Sequence, residues 1–446
     1  MDNTRSYPRV LIVGQSFDSA SGGGITMTNL FQGWPPESLA VAAPISFSPN
    51  WNVCKKYYQL GARELRLIQP LRFVWPIRRY SGTRAPLINK ESQYSESSEK
   101  SPYQKSGLIQ NLRSLTAYAG GSEIIRRPHL TTELLTWVES FQPDLIYTQA
   151  ASINVMGLTR QLSKVSNLPF VVHMMDDWPT TLYRDKLFGF YLRWRLHREF
   201  ILLLNNATTL IGISEKMGKM FEERYGRRFQ TFHNPIELDR WIGAGKCNWT
   251  GGIPFRVVYA GRIGIANQQG VQDICDAVAS LHSEGCRIEL DLYVLEGNQE
   301  VSQRFQRPGC VFVKSAIPHL EMPSVLANAD VLLLPLDFDL RSIDYAQYSM
   351  PTKTSEYMAS GTPVMIYAPP ENAVTEYASS EKWGYIVSTQ GISRLKTALI
   401  RLIQDQSLRE KLGQKAQSLA IQNHDAIKVR DAFRQVLADA AFHSFD

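Results

Sequence analysis

The sequence has few cysteines and no long apolar segment, and these two absences exclude several classes of protein. There are five cysteines in 446 residues. They are odd in number and include no C-x-x-C pair, which argues against a disulfide framework and against a zinc site. No run approaches the ~20 apolar residues that a membrane-spanning helix needs. The N-terminal apolar run, Arg9–Val13, ends in glycine and is typical of a buried strand rather than of a signal peptide. We therefore expect a cytoplasmic protein.

The chain also lacks the signatures of two further classes of protein. Neither Arg9–Val13 nor the later strand-like run Phe255–Tyr259 is followed by G-x-G-x-x-G and an acidic residue about 20 positions on, which a nicotinamide-dependent oxidoreductase would need. The formal net charge of +6 is modest for this length. No RNA- or DNA-binding motif accompanies it, so we expect no nucleic-acid partner. We also predict that the protein binds neither a metal ion nor a cofactor.

What the sequence does contain is an alternation of strand-like runs and helical segments, which predicts an α/β fold. A chain of 446 residues is long for one domain. We place an N-terminal domain at residues 1–247, with an insertion at about 50–125, and a C-terminal domain at residues 248–425. The segment Asn248–Pro254, N-W-T-G-G-I-P, is the predicted linker. Residues 426–446 are predicted to form a final helix.

The stretch Ser349–Val364, S-M-P-T-K-T-S-E-Y-M-A-S-G-T-P-V, is predicted to be a helix with clear start and stop signals. A serine oxygen such as that of Ser349 caps free amides, and a proline such as Pro351 loses no hydrogen bond in the first turn. Gly361 and then Pro363 favour the end of a helix. These signals bound a short helix between a loop and the next strand.

This helix is predicted to begin where ligands bind in open α/β sheets. It follows the strand-like run Ala329–Leu336 and a polar loop, Asp337–Tyr348, and it precedes a second apolar run, Val364–Tyr367. The loop therefore leaves the carboxyl end of a parallel strand, which is the usual place of a ligand in such sheets.

Two side chains of this helix suit a nucleotide sugar. The free amides and the positive end of the helix dipole favour a phosphate group, and Lys353 would add a full positive charge. Glu356 follows about one turn later, within reach of hydroxyl groups on the same ligand. The alternative is an ordinary surface helix on which both side chains are solvated.

Three other stretches carry candidate site residues. Gly22–Gly24 precede a predicted helix, Ile25–Gln32, and glycines at such a turn let a ligand approach the main chain; a flexible turn is the alternative. His173 leaves the carboxyl end of a predicted strand, although a lone histidine is more often structural. In Ala260–Gly264, A-G-R-I-G, an arginine at the end of a strand suits a phosphate group, which it can hold with two donors at once.

Several of these motifs together resemble the GT-B glycosyltransferases, specifically the retaining family 4 group, also called glycosyl transferases group 1. P-T-K-x-x-E-Y-M-A-x-G-x-P-V is similar to the donor-site helix of that family, and V-V-H-x-x-D-x-W-P, G-R and H-N-P-I-E are similar to further stretches of it, in the same order. The resemblance implies two Rossmann-like domains facing a cleft, with the C-terminal helix crossing back to the first domain. It covers nearly the whole chain except roughly residues 45–130.

The resemblance also implies roles for particular residues. The sugar would come from a nucleoside-diphosphate donor, with retention of configuration and without metal, in the synthesis of a cell-surface polysaccharide or glycoconjugate. In this interpretation the acceptor cleft includes Asp176 and Asp177, and the catalytic residues are His173, Arg262, Lys353 and Glu356. The donor-binding residues would be Gly23, Gly24, Gly261, Arg262, Ser349, Thr352, Lys353, Thr354 and Glu356.

The chain departs from the family pattern at two positions. Many members have two glutamates in an E-x7-E spacing; Glu356 matches the second, and Tyr348 occupies the position of the first. The lysine that commonly follows G-R is replaced by Gln269, so one phosphate-binding charge is missing, and Lys353 can supply it. Asp337, Asp339 and Asp344 could substitute for the missing carboxylate; the alternative is that they only solvate the loop.

The segment Cys54–Lys90 has nine basic residues against one acidic residue, a net charge of +8, interleaved with aromatic and aliphatic side chains. Such a mixture can dock on an anionic membrane face, which would place the protein peripherally on the inner membrane and would suit a saccharide or lipid-linked saccharide as acceptor. The alternative is a solvated loop whose aromatic residues pack on the domain. The hypothesis depends most on Arg78 and Arg79.

Two further functions stay open beside the transferase. A non-hydrolysing sugar-nucleotide epimerase shares the fold and the donor pocket, and it would form an isomer of the nucleotide sugar without any acceptor. A catalytically silent partner protein would bind the donor and transfer nothing; the missing glutamate at Tyr348 and the missing lysine at Gln269 are its best arguments.

Overall fold

The computed structural model describes residues 7–18, 22–45, 48–68, 80–85, 122–294, 303–318 and 320–442. It confirms the predicted α/β fold and divides into two compact units. The first unit comprises Met1–Gly212, Phe221–Gln230 and Ala432–Asp446. The second comprises Ile213–Met220 and Thr231–Asp431.

The first unit is built on an eight-stranded sheet in the order β10-β9-β8-β7-β1-β2-β3-β5. The pairs from β9 to β3 are parallel, and β5 is antiparallel to β3. A separate two-stranded sheet joins β4 to β6. The strands are β1 Val10–Val13, β2 Leu39–Ala43, β3 Lys56–Gln59, β4 Leu65–Leu67, β5 Gly82–Arg84, β6 Arg126–Pro128, β7 Leu145–Thr148, β8 Phe170–Met174, β9 Thr209–Gly212 and β10 Gln230–Thr231.

The longer helices of the first unit each bury an apolar face. In the fourth helix, for example, a serine side chain (Ser152) accepts from the amide of Val155 and so caps the start. These helices are α1 Gly22–Phe31, α2 Ser122–Ile125, α3 Thr132–Phe141, α4 Ile153–Ser166, α5 Trp178–Thr181 and α6 Gly189–Asn206; α7, Glu215–Tyr225, has residues in both units.

The second unit is built on a six-stranded, fully parallel sheet in the order β13-β12-β11-β14-β15-β16. Its core consists of the apolar faces of these strands and of the helices packed on them. The strands are β11 Phe255–Ala260, β12 Ile288–Val294, β13 Val311–Ser315, β14 Val331–Pro335, β15 Val364–Tyr367 and β16 Gly384–Val387. The helices are α8 Leu238–Ile242, α9 Gln268–Ser283, α10 Met322–Ala327, α11 Leu340–Ala346, α12 Lys353–Ala359, α13 Ala373–Glu381, α14 Ile392–Gln404 and α15 Gln406–Asn423.

The order of strands creates one topological switch point in each sheet. Within each unit the first strand lies at the centre and the chain builds outward on one side before it builds on the other, which is the doubly wound order of dinucleotide-binding folds. The switch points lie between β1 and β7 and between β11 and β14. Ligands of such sheets bind beside the carboxyl ends of the strands at these points.

The last helix, α16 (Ala426–Phe442), begins in the second unit and ends in the first, as predicted. Phe433 is fully buried, and its ring centroid lies 5.2 Å from that of Phe31 and 6.1 Å from that of Tyr147. An aromatic cluster of the first unit therefore holds the end of the chain.

The described part of the basic segment 54–90 is largely engaged within the first unit. The Arg63 guanidinium forms an ion pair with Glu133 at 2.8 Å, and that of Arg84 donates to the side chain of Gln59 at 3.0 Å. Tyr57 and Tyr58 are buried. Arg78 and Arg79, on which the membrane hypothesis most depended, lie outside the described residues. No helix in the described ranges is both long and apolar enough to cross a bilayer.

Candidate functional site

Three of the predicted donor residues come together at the switch point of the second unit. β11 ends in Ala260, and the chain continues through Gly261 and Arg262. The ammonium group of Lys353, the first residue of α12, lies 3.9 Å from the centroid of the Tyr259 ring. Gly261 has φ +151°, and a Cβ there would collide with this ammonium group. The glycine therefore makes room for a cation directly beside the G-R turn.

The Tyr259 hydroxyl stabilises the Gly261–Arg262 turn through hydrogen bonds. Its hydroxyl donates to the Arg262 carbonyl at 2.5 Å and accepts from the Asn267 side chain at 2.9 Å. The Asn267 side chain also donates through Nδ2 to the Arg262 carbonyl at 3.0 Å, and its Oδ1 accepts from the backbone amide of Gly264 at 2.8 Å. This closed set of hydrogen bonds fixes the backbone from which the exposed Arg262 guanidinium projects. Tyr259 was not predicted as a site residue because an aromatic residue inside a strand is typical of the core, and Asn267 belongs to none of the recognised motifs.

A second set of contacts ties α12 and the loop before it to the rest of the unit. The Tyr357 hydroxyl accepts from the amide of Ala260 at 2.8 Å and donates to its carbonyl at 3.2 Å. The Ser214 hydroxyl donates to the Tyr348 carbonyl at 2.7 Å, and Asn234 donates to the Thr352 carbonyl at 3.4 Å. These contacts set the position of Lys353 relative to Gly261.

The pKa values of Lys353 and Glu356 both lie near neutral pH. Burial lowers the pKa of Lys353 to about 7, against a smaller opposing effect of the Glu356 charge. Burial raises the pKa of Glu356 to about 7, although the positive charges of Lys353 and Arg240 act in the opposite direction. Both groups can therefore gain or lose a proton near neutral pH. A ligand that brings negative charge to Lys353 would favour its cationic form.

The start of α12 differs from the prediction. The helix begins at Lys353, its N-cap residue is Thr352, and the Thr352 side chain makes no capping bond. The Ser349 amide donates to the Ala346 carbonyl and the Thr354 amide to the Pro351 carbonyl, so neither is available to a phosphate in this conformation. The prediction that Ser349 caps the helix is wrong, because the preceding helix α11 takes up part of the loop.

The loop before α12 also contains more structure than predicted. Its first part forms α11, and Asp339 caps that helix by accepting from the amides of Arg341 and Ser342. The buried Asp337 accepts from the Gly270 amide at 2.7 Å. Both carboxylates therefore have structural partners, which argues against either of them replacing the missing glutamate. The exposed Gln269, at the position of the family's lysine, donates to Asp273 at 2.8 Å.

The glycines of the first unit lie inside a helix rather than before it. Gly22–Gly24 form the first turn of α1, where a turn preceding the helix was predicted. The Gln149 side chain donates to the Gly23 carbonyl at 3.2 Å. A Cβ on Gly24 would collide with the Asp18 carboxylate. These glycines therefore admit two polar side chains at the β1–β7 switch point, and one of them brings a negative charge to the start of α1.

His173 lies at the carboxyl end of β8, as predicted, but it is fully buried. Its Nδ1 atom is 2.8 Å from the Tyr147 hydroxyl, and its ring centroid is 6.4 Å from that of Phe433. Nε2 is buried and has no hydrogen-bond partner within the described part of the chain. Burial lowers the pKa of His173 to about 3, so the ring is neutral. A sugar could touch it only if Nε2 became accessible.

The two predicted acceptor carboxylates differ in their surroundings. Asp177 is buried and forms an ion pair with Arg224 at 2.8 Å, and its backbone carbonyl accepts from the first turn of α5. Asp176 keeps part of its surface exposed. The structure therefore gives Asp177 a structural partner and leaves Asp176 the more accessible of the two.

Comparison with known families agrees with this arrangement. Residues 254–405 match the family model described as glycosyl transferases group 1, and residues 96–240 match the one described as glycosyltransferase family 4. The two matches follow each other without overlap and take in about two thirds of the chain. The chain carries a group 1 glycosyltransferase domain and a family 4 glycosyltransferase domain. This confirms the resemblance noted in the sequence, and with it an enzyme that transfers a sugar.

The glycosyltransferase also resembles solved structures over nearly its whole length. HepE from Anabaena, solved with UDP and glucose, has a TM-score of 0.59 at 14% identity, covering 97% of this chain and 100% of that one. Sucrose-phosphate synthase from Thermosynechococcus elongatus has 0.59 at 14%, with 96% and 98% covered. WaaG, a glycosyltransferase involved in lipopolysaccharide biosynthesis, has 0.56 at 13%, with 96% and 99% covered. At these identities the likeness establishes the GT-B fold. No curated protein sequence matches this glycosyltransferase.

The Tyr259 hydroxyl gives a first testable expectation. Tyr259→Phe keeps the ring beneath Lys353 but removes the donor to the Arg262 carbonyl, at a site where an unmade bond costs ~1–3 kcal/mol. We expect kcat/KM of the glycosyltransferase to fall on the order of 10-fold, mostly through KM for the donor. Tyr293→Phe, on the neighbouring strand β12, is the matched control. Equal kinetics of wild type and Tyr259→Phe would show that the G-R turn does not need this hydroxyl.

Proposed function

We propose that this glycosyltransferase moves a sugar from a nucleoside-diphosphate donor to a saccharide or lipid-linked saccharide acceptor, in the synthesis of a cell-surface polysaccharide or glycoconjugate. The observation that carries the proposal is the position of the Lys353 ammonium group beside the Gly261–Arg262 turn, at the switch point of the second unit. HepE, which shares the fold, was solved with UDP and with UDP-glucose, which supports a donor of this class.

In the proposed complex the diphosphate lies between two cations. The Arg262 guanidinium would hold phosphate oxygens with two donors, and Lys353 would act as a point charge on the same group. Glu356, one turn after Lys353 on α12, would accept from the ribose hydroxyls. We propose that the backbone amide of Lys353 and the remaining polar atoms of Ser349, Thr352 and Thr354 border this position. The amides of Ser349 and Thr354 already donate to the carbonyls of Ala346 and Pro351.

Transfer is proposed to proceed with retention and without a metal ion. As the bond to the sugar breaks, negative charge develops on the leaving diphosphate, and Lys353 and Arg262 stabilise that charge. The acceptor hydroxyl would then attack the same face of the sugar from which the diphosphate leaves. Its proton would pass to the departing phosphate, so that one glycosidic bond forms as one sugar–phosphate bond breaks.

His173 is best placed as a positioning residue in this scheme. Its neutral ring, held by Tyr147 and covered by Phe433, fixes the end of β8 and thereby the chain that continues to Asp176 and Asp177. We propose that these two carboxylates border the acceptor, with Asp176 the more accessible, and that Gly23 and Gly24 allow close approach of a ligand to the start of α1.

The proposed donor site is tested by calorimetric titration of the whole protein with UDP, GDP, ADP and dTDP. One nucleotide is expected to bind, and Arg262→Ala and Glu356→Ala are each expected to weaken it by about 10-fold or more. Arg287→Ala and Glu371→Ala, both at exposed positions of the second unit, are matched controls. Binding of no nucleotide, or equal binding by all variants, would remove the main support for this donor site.

The same preparation separates the transferase from its rivals. Donor binding without transfer to any saccharide would favour a catalytically silent partner, which the tyrosine at position 348 and the glutamine at position 269 make a specific alternative. Isomerisation of the nucleotide sugar without acceptor would reveal an epimerase. A product of inverted configuration would contradict retention, and loss of transfer on chelation would contradict independence from metal.

A further inference from the structure

The N-terminal half of α6 in the first unit exposes an unusual set of large apolar side chains. Phe190 is 90% exposed, and two further exposed apolar residues, Leu187 and Phe188, directly precede the helix. The five exposed side chains are Leu187, Phe188, Phe190, Tyr191 and Trp194. The opposite face of the helix is buried in the unit through Leu192, Leu196 and Phe200. The exposed set is therefore not needed for packing α6 on its own sheet, and an apolar patch of this kind marks an interaction surface.

A groove of about 460 Å³ runs beside this patch and is strongly basic. Four arginines line it, against Glu199 as the acidic residue among its lining side chains. Arg160 forms an ion pair with Glu199 at 2.9 Å. With four arginines and one glutamate, the lining side chains carry a net charge of +3. The lining arginines are Arg127, Arg160, Arg195 and Arg198.

Two of these guanidinium groups lie against aromatic rings of the same helix. Tyr191 and Trp194 stack at 6.2 Å with an interplanar angle of 27°. Arg195 lies 5.9 Å from the centroid of Tyr191, and Arg198 lies 5.7 Å from that of Trp194. Burial and the nearby charge of Arg127 lower the pKa of Arg195, although the charges of Glu123 and Glu199 act in the opposite direction. An anion in the groove would offset the repulsion between Arg127 and Arg195.

Aromatic side chains that border water and cations that lie beside them are the two features of a surface that rests on an anionic bilayer. Tyrosine and tryptophan favour the level of the lipid headgroups, where an apolar body meets a polar tip. Arginines beside them attract anionic lipids. A soluble phosphate would use the arginines alone and would leave the exposed Phe188 and Phe190 without a role.

We propose that the α6 surface, residues 187–198 with Arg127 and Arg160, docks this protein on a membrane that carries anionic phospholipid. Phe190 and Trp194 enter the headgroup layer, and a lipid phosphate occupies the arginine groove. This surface is separate from the basic segment 54–90, whose Arg78 and Arg79 lie outside the described residues. The proposal does not depend on the nature of the donor sugar.

Vesicle flotation tests the proposal with the full chain. Wild type is expected to float with vesicles of phosphatidylcholine and phosphatidylglycerol and not with phosphatidylcholine alone. Removal of two charges in Arg195→Gln/Arg198→Gln is expected to weaken the partition by about 25-fold at low salt. Phe190→Ser/Trp194→Ser is expected to weaken it by about 10-fold or more even at high salt, because its contribution is apolar and is not screened.

Matched controls come from the second unit. Lys411→Gln/Lys415→Gln removes two exposed charges one helical turn apart on α15, and Leu320→Ser/Ile427→Ser removes two exposed apolar side chains. Both controls are expected to float like wild type, and thermal unfolding verifies that every variant is folded. Equal flotation of wild type and both α6 variants would overturn the proposal.

Other occupants of the α6 surface give different results. Binding of inorganic phosphate or heparin without binding of vesicles would overturn the proposal of membrane docking and indicate a soluble anionic ligand. A wild-type dimer that Phe190→Ser dissociates, without vesicle binding, would indicate a second copy of the chain. Hydrogen exchange of the wild type provides a test without variants: residues 187–198 are expected to gain protection on adding anionic vesicles. Protection already complete in free protein and unchanged by vesicles would also overturn the proposal.

Discussion

Lys353→Met is expected to lower the rate of sugar transfer at saturating donor by about 100- to 1000-fold, because it removes a cation that stabilises the leaving diphosphate. The structure leaves no second lysine to compensate at the expected place, since that position is Gln269, whose side chain is bonded to Asp273. The Lys353 ammonium group lies over the Tyr259 ring, in the space that the missing side chain of Gly261 leaves open. It is therefore positioned before the donor arrives, which is the condition under which a charge acts most strongly on a developing anion.

The measurement is single-turnover transfer with wild type, Lys353→Met and Lys353→Arg. Methionine has a similar length and preserves the apolar contacts of the side-chain stem, so the difference reports on the charge. Lys353→Arg keeps the charge in a larger group beside Gly261 and is expected to recover part of the rate. Lys415→Met, at an exposed position of α15, is the control for the loss of one charge. A Lys353→Met enzyme with a nearly unchanged rate would show that Lys353 does not act on the leaving group.

The fold could be predicted from the sequence because its elements are local and strongly patterned. The apolar run Val364–Tyr367 forms a strand with the same bounds, and the final helix predicted at residues 426–446 is observed at Ala426–Phe442. Each is a run of one period between clear breakers, so neighbouring residues alone determine it. The two Rossmann-like domains were predicted from the family resemblance, since pairing between distant strands leaves no local signal.

The site could be predicted only where a motif carries it. Gly261, Arg262 and Lys353 were found because G-R and P-T-K are contiguous in the chain. Tyr259 was missed because its hydroxyl acts through a carbonyl three residues later, across a turn whose geometry only the fold creates.

Helix starts were the least predictable feature, since several residues can serve as the cap. Ser349 looked like a cap, but the helix begins only at Lys353, with Thr352 in the N-cap position, and the Ser349 amide donates to the Ala346 carbonyl at the end of α11. The three glycines looked like a loop, but Asp18 and Gln149 pack against the places where their side chains would be. At Ser349 the preceding helix α11 occupies part of the expected loop, and at Gly23 the contact comes from Gln149, which is distant in sequence.

The affinity of this glycosyltransferase for a nucleoside-diphosphate sugar is expected to be greatest near pH 7 and to fall on both sides. Burial holds the pKa of Lys353 near 7 in the free protein. A bound diphosphate favours the cation and raises that pKa, so binding takes up a proton above pH 7. If only the cation binds, affinity falls up to roughly 50-fold between about pH 7 and pH 9. Below pH 7, protonation of Glu356 removes the acceptor proposed for the ribose hydroxyls and weakens binding again.

Single variants separate the two arms of this profile, because the two groups titrate as a coupled pair. Lys353→Met is expected to abolish the fall in affinity above pH 7. It is also expected to shift the low-pH arm of the profile to higher pH, since the lysine charge lowers the pKa of Glu356 and its loss raises that pKa. Glu356→Gln is expected to abolish the low-pH arm and to shift the high-pH arm to lower pH, since the glutamate charge raises the pKa of Lys353.

The check is calorimetry with UDP-glucose, or with a nucleotide sugar of whichever nucleotide binds, from about pH 6 to 9 in two buffers of different ionisation enthalpy. Such donors have no phosphate group that titrates in this range, so proton uptake reports on the protein. A flat profile without proton uptake in the wild type would show that Lys353 is fully charged before the donor binds, and that its cationic form needs no help from the diphosphate.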